Sequence, residues 1–145
     1  MSHFSSSLLF SLLLALEVFS GIHAALVFRV FPPAKAGYLA GTVFLSVGII
    51  ALWLFRMRAE KWRRPTLFVV SVYLFLFALP LWVARLLAPS SEPLQDVFGL
   101  PLDVFHQGSQ ISFATVFLMT VLQLGYSLKK KATAVDNRDS LPPHR

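Results

Sequence analysis

Four stretches of this chain run for roughly twenty residues with almost no charge: Leu8–Phe31, Gly37–Phe55, Thr66–Ala84 and Gly108–Leu128. An α-helix rises 1.5 Å per residue, so about 20 apolar residues cross the roughly 30 Å hydrocarbon layer of a bilayer. Each stretch is therefore expected to be one membrane-spanning helix. Prolines mark the breaks. Pro32–Pro33 stops the first helix and turns the chain into the second. Pro65 stands where a first-turn proline opens the third helix. Pro80 falls inside that helix and predicts a kink toward its far end. The expected fold is all-α, an integral membrane four-helix bundle over residues 1–128, followed by a basic, disordered tail over 129–145.

Composition agrees. The 145 residues are 56% apolar and only 14% charged, with a mean hydropathy of +0.67, where soluble domains carry about 25% charged residues. The net charge of +6 could suggest nucleic acid, but its placement suggests topology. The central loop holds Arg56, Arg58, Lys61, Arg63 and Arg64 against Glu60, a net +4, and the tail carries Lys129, Lys130, Lys131, Arg138 and Arg145 against Asp136 and Asp139, a net +3. The opposite connections hold Arg29, Lys35 and Arg85 against Glu92, Asp96 and Asp103, which cancel. The positive-inside rule puts both termini and the central loop in the cytoplasm, most simply across the inner membrane of a bacterium. No nucleic-acid partner is expected.

The start also has the outline of a cleavable leader, with Leu8–Phe19 as apolar core and Ile22-His23-Ala24 as a loose cleavage site. Against cleavage, no Lys or Arg precedes the core, Glu17 interrupts it, and apolar residues continue to Phe31. The longest connection, Arg85–Gln107, mixes prolines and acids with many apolar residues, and is expected to form a lid or re-entrant turn at the outer interface.

Lipid offers helices no hydrophobic drive to associate, so small residues and polar pairs must join them. Gly37 and Gly41 form a GxxxG pair, with Gly48 near the same face. Gly21 lies on a small face of the first helix that also carries Glu17, Ser20 and Ala24. On the fourth helix Ser109, Ser112, Val116, Thr120, Gln123 and Ser127 share a stripe about 80° wide. Such a stripe belongs inside the bundle, as plain interhelical hydrogen bonding or as a polar lining for a substrate.

Glu17 stands out, about 13 Å below the inner surface by helix rise. Ser46, Tyr73 and Thr120 fall near its depth. A neutral acid bonded across helices and a proton or cation site both fit such a residue. His23 and His106, on separate helices, could ligate a haem, but their depths differ by two turns. Arg29 and Arg85 end helices on the outside, where arginines snorkel to headgroups. With Asp103 and His106 they could also form a charged cluster holding the lid. Trp53, Trp62 and Trp82 read as interfacial anchors. With no cysteine, thiol chemistry and iron–sulfur clusters are excluded. No phosphate loop, nucleophile elbow or HExxH motif is present. No metal or cofactor is expected.

Two stretches carry a resemblance. One is Phe28-Arg29-Val30-Phe31-Pro32-Pro33-Ala34-Lys35-Ala36-Gly37, and the other is Phe105-His106-Gln107-Gly108-Ser109. With four spans and a basic central loop, the chain resembles an uncharacterised bacterial family of four-helix membrane proteins related to the transmembrane-protein-205-like domain. The resemblance implies no reaction, and it singles out His106 and Ser109. This chain has Phe19-Ser20-Gly21 where members tend to carry Trp-x-Gly-Gly, and lacks their asparagine in the fourth helix.

Three functional expectations follow. The first is a non-enzymatic accessory or self-associating membrane subunit, joined as a homo-oligomer or to a larger complex, supported by the glycine face and the lack of a catalytic set. The second is a small oligomeric transporter or proton-coupled permease using Glu17 and the fourth-helix stripe. The third is a membrane enzyme or b-type haem protein using His23 and His106.

Overall fold

Helices account for nearly all of the chain. The computed structural model describes residues 5–88 and 94–139, without the side chains of 135–139. The expectations for 89–93 and 140–145 lie outside the described residues. Four helices, α1 (Ser6–Val30), α2 (Pro33–Arg58), α3 (Arg63–Leu87) and α4 (Leu102–Asp139), are each long and apolar enough to cross a membrane. Each packs against its two neighbours around a square: α1 against α2 and α4, and α3 against the same pair. Short connections between α1, α2 and α3 force antiparallel neighbours. One end of the bundle carries Lys61 and the basic connection. The other, the hairpin end, carries the segment between α3 and α4.

The breaks follow proline chemistry. Pro33 is the first residue of α2, where its missing N–H and fixed φ cost nothing. Pro80 acts differently from a simple kink. It cannot donate to the carbonyl four residues back, and its ring crowds that carbonyl. The helix ahead of it widens into a π-helical turn, Tyr73–Ala78, and the Leu79 N–H reaches back to Leu74 O. Such turns gather at functional sites, and this one presents Tyr73 to the bundle interior.

Three of the helices outrun at both ends the apolar stretches that announce them, while α1 starts two residues early and stops at Val30. Toward the basic end the added residues include Arg56, Arg58, Arg63, Arg64 and Lys129, good helix formers that hydropathy alone cannot register. The largest departure is α4. It begins at Leu102, six residues ahead of the apolar run, and continues to Asp139 through the segment expected to be disordered. Lys and Ala sustain that extension, and Lys130 pairs with Glu60 of the central connection at 2.6 Å.

The expected lid takes a definite form. Asp96–Val97 and Leu100–Pro101 pair as an antiparallel hairpin. Phe98 and Gly99 both have positive φ, the signature of a type I′ turn, and Asp96 Oδ1 accepts from the Gly99 N–H at 3.1 Å. Val97 is fully buried in a cluster with Ala84 and Phe105, so the hairpin is packed against α3 and α4.

The inward faces show helical spacing: Phe10, Leu13, Glu17, Ser20 and Val27 on α1, and Phe105, Ser112, Val116, Thr120 and Gln123 on α4. The outward faces are equally apolar. Leu12, Phe19, Ile22 and Leu26 are each more than half exposed, and Phe68 and Ile111 about 70% exposed. A continuous apolar exterior on this scale is what a helix bundle needs in lipid and avoids in water.

Candidate functional site

The glycines position the site. The Gly37–Gly41–Gly48 face of α2 is consumed within the chain. A Cβ at Gly37 would lie 2.8 Å from Arg85 Cζ, one at Gly41 3.6 Å from Trp82 Cδ1, and one at Gly48 2.6 Å from Leu74 Cδ2. The packing role expected of these residues is thus met by α3, so the glycine face gives no support to association with another chain. Gly21 differs, since nothing lies within 4 Å of an added Cβ there, and it opens onto a cavity.

That cavity has a volume of about 350 Å³ and is lined from all four helices. Gly21, Ala24 and Phe28 come from α1, and Gly37, Ala40, Gly41 and Phe44 from α2. Tyr73, Ala78, Leu81 and Arg85 come from α3, and His106, Ser109, Gln110 and Phe113 from α4. The windows on α1, α2 and α4 each span two turns, roughly 10 Å along the axis. Its floor is aromatic. Phe44 meets Phe113 edge-on at 4.9 Å between centroids, and Tyr73 lies 5.5 Å from Phe113. The Tyr73 hydroxyl donates to Phe44 O at 3.2 Å, which locks the floor to α2. Trp82 supports the wall: its indole N–H donates to Thr42 Oγ1 at 3.0 Å, and its ring stacks on Tyr38. Trp82 is thus a packed cross-helix contact, while Trp53 and Trp62 remain exposed as anchors would be.

The polar groups gather toward the hairpin end. Arg85 is partly buried, and among the described residues no carboxylate lies within ion-pair range of it and no hydrogen bond to it is made. His106 lies close enough to Arg85 and Asp103 to feel both charges. Of the expected outer cluster, Arg85, His106 and Ser109 share the cavity, whereas Arg29 and Asp103 are exposed and do not line it. Gln110 and Phe113 were missed by the sequence reading. They follow His106 at i+4 and i+7, with Ser109 at i+3, so helical periodicity alone would have put all four on one face. His23 does not line the cavity. Its Nδ1 is buried without a partner among the described residues, beside the Phe19 ring. The two histidines thus do not face each other across one space.

A second polar site lies toward the basic end. Glu17 is buried, and Thr120 Oγ1 donates to its Oε1 at 2.8 Å, joining α1 to α4. Its Oε2 is buried with no partner among the described residues. Of the three residues expected at this depth, Thr120 makes the contact. Ser46 instead donates to Thr42 O at 2.8 Å on its own helix, and Tyr73 turns to Phe44. One turn on, the Gln123 amide donates to the Lys61 carbonyl and ties α4 to the central connection. Thr66, buried on α3, donates to Met119 Sδ at 3.7 Å. The fourth-helix stripe therefore does face inward, with Ser112, Val116, Thr120 and Gln123 buried.

Comparison of the chain with protein families, with curated proteins and with solved structures found no match.

Proposed function

We propose that this chain is a multi-pass protein of a bacterial inner membrane, with both ends in the cytoplasm, that serves as a non-enzymatic binding subunit with the cavity at its hairpin end as its working site. The charge asymmetry of the connections supports the orientation, and the apolar exterior supports lipid as the solvent. A place in the four-helix family rests on the two resembling stretches alone. The observation that carries the functional reading is the cavity itself. Residues from four helices line a partly open cavity of about 350 Å³, and its lining combines apolar walls with a few convergent polar groups, the pattern of a ligand pocket. A carrier or receptor subunit needs such a space, and it sits within one chain.

Gly21→Leu tests this directly, because Gly21 lines the cavity and a Cβ there meets no atom within 4 Å. Native mass spectrometry of the wild type from mild detergent should show a bound small molecule, and Gly21→Leu should lose it while remaining folded. Equal retention by both proteins would place the binding elsewhere, and a ligand-free wild type would remove the reading.

A second reading, a proton-coupled permease working as an oligomer, is favoured by one feature. The Glu17 carboxyl is held by a single bond from Thr120, its other oxygen open. Ionisable groups inside a bilayer commonly mark ion paths. Loss of ligand flux into proteoliposomes on Glu17→Gln, with ligand binding retained, would select this reading over the first.

A further inference from the structure

Among the described residues, no carboxylate pairs with Arg85. We infer that the cavity takes an anionic amphiphile, whose carboxylate or phosphate is held at the hairpin end by Arg85 and whose apolar part lies against the aromatic walls. This rests on the cavity being a ligand site, and adds its chemical class.

The ordinary fate of an arginine near the end of a membrane helix is to snorkel outward to headgroups. Arg85 does not do this. Its guanidinium lies against α2, so close that a Cβ on Gly37 would stand 2.8 Å from both Cζ and Nε. Glycine at 37 is what admits the group to the bundle. There it lines the cavity, half-buried, and no described carboxylate answers it. A guanidinium carries five donors in a planar fork suited to a carboxylate or phosphate, and withdrawing it from water without a partner is costly.

The surroundings make the position more positive. Gly37 belongs to the second turn of α2, whose first turn holds no acid and whose cap, Pro32, makes no side-chain hydrogen bond. That helix end therefore has neither an acid nor a side-chain cap of its own beside the cation. Lys35, in the same first turn, is exposed over the Phe31 ring and does not line the cavity. An anion held by Arg85 would also be favoured by this helix end.

The rest of the lining fits the remainder of such a ligand. Ser109 and Gln110 offer neutral hydrogen-bonding groups on the α4 side. Ala24, Phe28, Phe44 and Phe113 offer apolar surface. The volume lies at the small end of ligand pockets, which suits a short-chain acid or the headgroup region of a lipid, two sources of one chemistry.

The test uses the full chain in nanodiscs of phosphatidylcholine, titrated with octanoate and, separately, with octanol, by native mass spectrometry and intrinsic tryptophan fluorescence. Octanoate should bind the wild type and weaken about 10–100-fold in Arg85→Gln, the worth of a charge-assisted hydrogen bond. Arg85→Lys, keeping the charge and losing the fork, should fall between. Octanol should bind the wild type and Arg85→Gln alike, which also shows that the variant is folded. Gly21→Leu should exclude both probes. Equal octanoate affinity in wild type and Arg85→Gln would overturn the anion assignment and leave the cavity reading standing. Failure of both probes to bind the wild type would overturn both. Discs containing phosphatidylglycerol separate the sources: Arg85-dependent lipid adducts point to a headgroup, and their absence with octanoate still bound points to a soluble acid.

Discussion

At Gly48 the second and third helices leave no room for a methyl group. A Cβ there would stand 2.6 Å from Leu74 Cδ2 and 2.8 Å from Tyr73 Cε1, where carbon atoms prefer about 3.5–4.0 Å. Something must move by about 1 Å. Leu74 is 3% exposed and Tyr73 0%, so neither can swing into open space, and Tyr73 is also tethered to Phe44 O. Overpacking of this kind costs about 1–3 kcal/mol. Replacing a helical glycine by alanine returns about 0.5–1 kcal/mol of backbone entropy. Gly48→Ala should therefore lose about 1–2 kcal/mol net. Gly125→Ala is the matched control, since nothing lies within 4 Å of a Cβ at that helical position. It should show the entropic gain alone, so the difference between the two variants isolates the clash. Reversible unfolding in mixed dodecylmaltoside–SDS micelles, followed by circular dichroism, measures both. A Leu74→Ala background should relieve much of the Gly48→Ala loss, because it vacates the nearest atom. If Gly48→Ala proves as stable as Gly125→Ala, α2 and α3 do not meet here. The glycine face would then be free to join a second molecule.

Three further outcomes are expected. Glu17→Gln keeps an acceptor for Thr120 and should unfold within about 1 kcal/mol of wild type, whereas Glu17→Ala empties buried space and should cost about 2 kcal/mol or more; identical losses would mean that the Thr120 bond does not matter. Gln123→Leu removes the tie to the Lys61 carbonyl, and trypsin supplied on the basic side should cut the central connection about fivefold faster, for a bond worth about 1 kcal/mol; an unchanged rate contradicts the tie. The chain has no cysteine, so single cysteines report sidedness: Leu100→Cys should react with an impermeant maleimide on intact cells, and Ser7→Cys and Glu60→Cys only after disruption. The reverse pattern would invert the proposed topology.

Much was legible in the sequence because it depends on one dimension. The number of helices and the turn at Pro32–Pro33 follow from hydropathy and proline geometry, which act locally along the chain. The inward direction of Ser112, Thr120 and Gln123 follows from the 100° rotation per residue, again a property of one helix alone. The length of α4 was not legible in the same way, since a run of Lys and Ala outside the apolar stretch carries no hydropathy signal either for helix or against it.

What only the tertiary structure decided is which residues meet. That Glu17 bonds Thr120 rather than Ser46 or Tyr73 depends on the rotation of four helices about their own axes. Depth along the membrane, the quantity the sequence supplies, was the same for all three. That Gly37 receives an arginine and Gly48 a tyrosine and a leucine depends on distances between helices, and a GxxxG pattern is silent on whether its partner lies in the same chain. The cavity belongs wholly to this second kind. It is the space left over when large side chains on some faces stand opposite glycines and alanines on others, and no single helix contains the information for it.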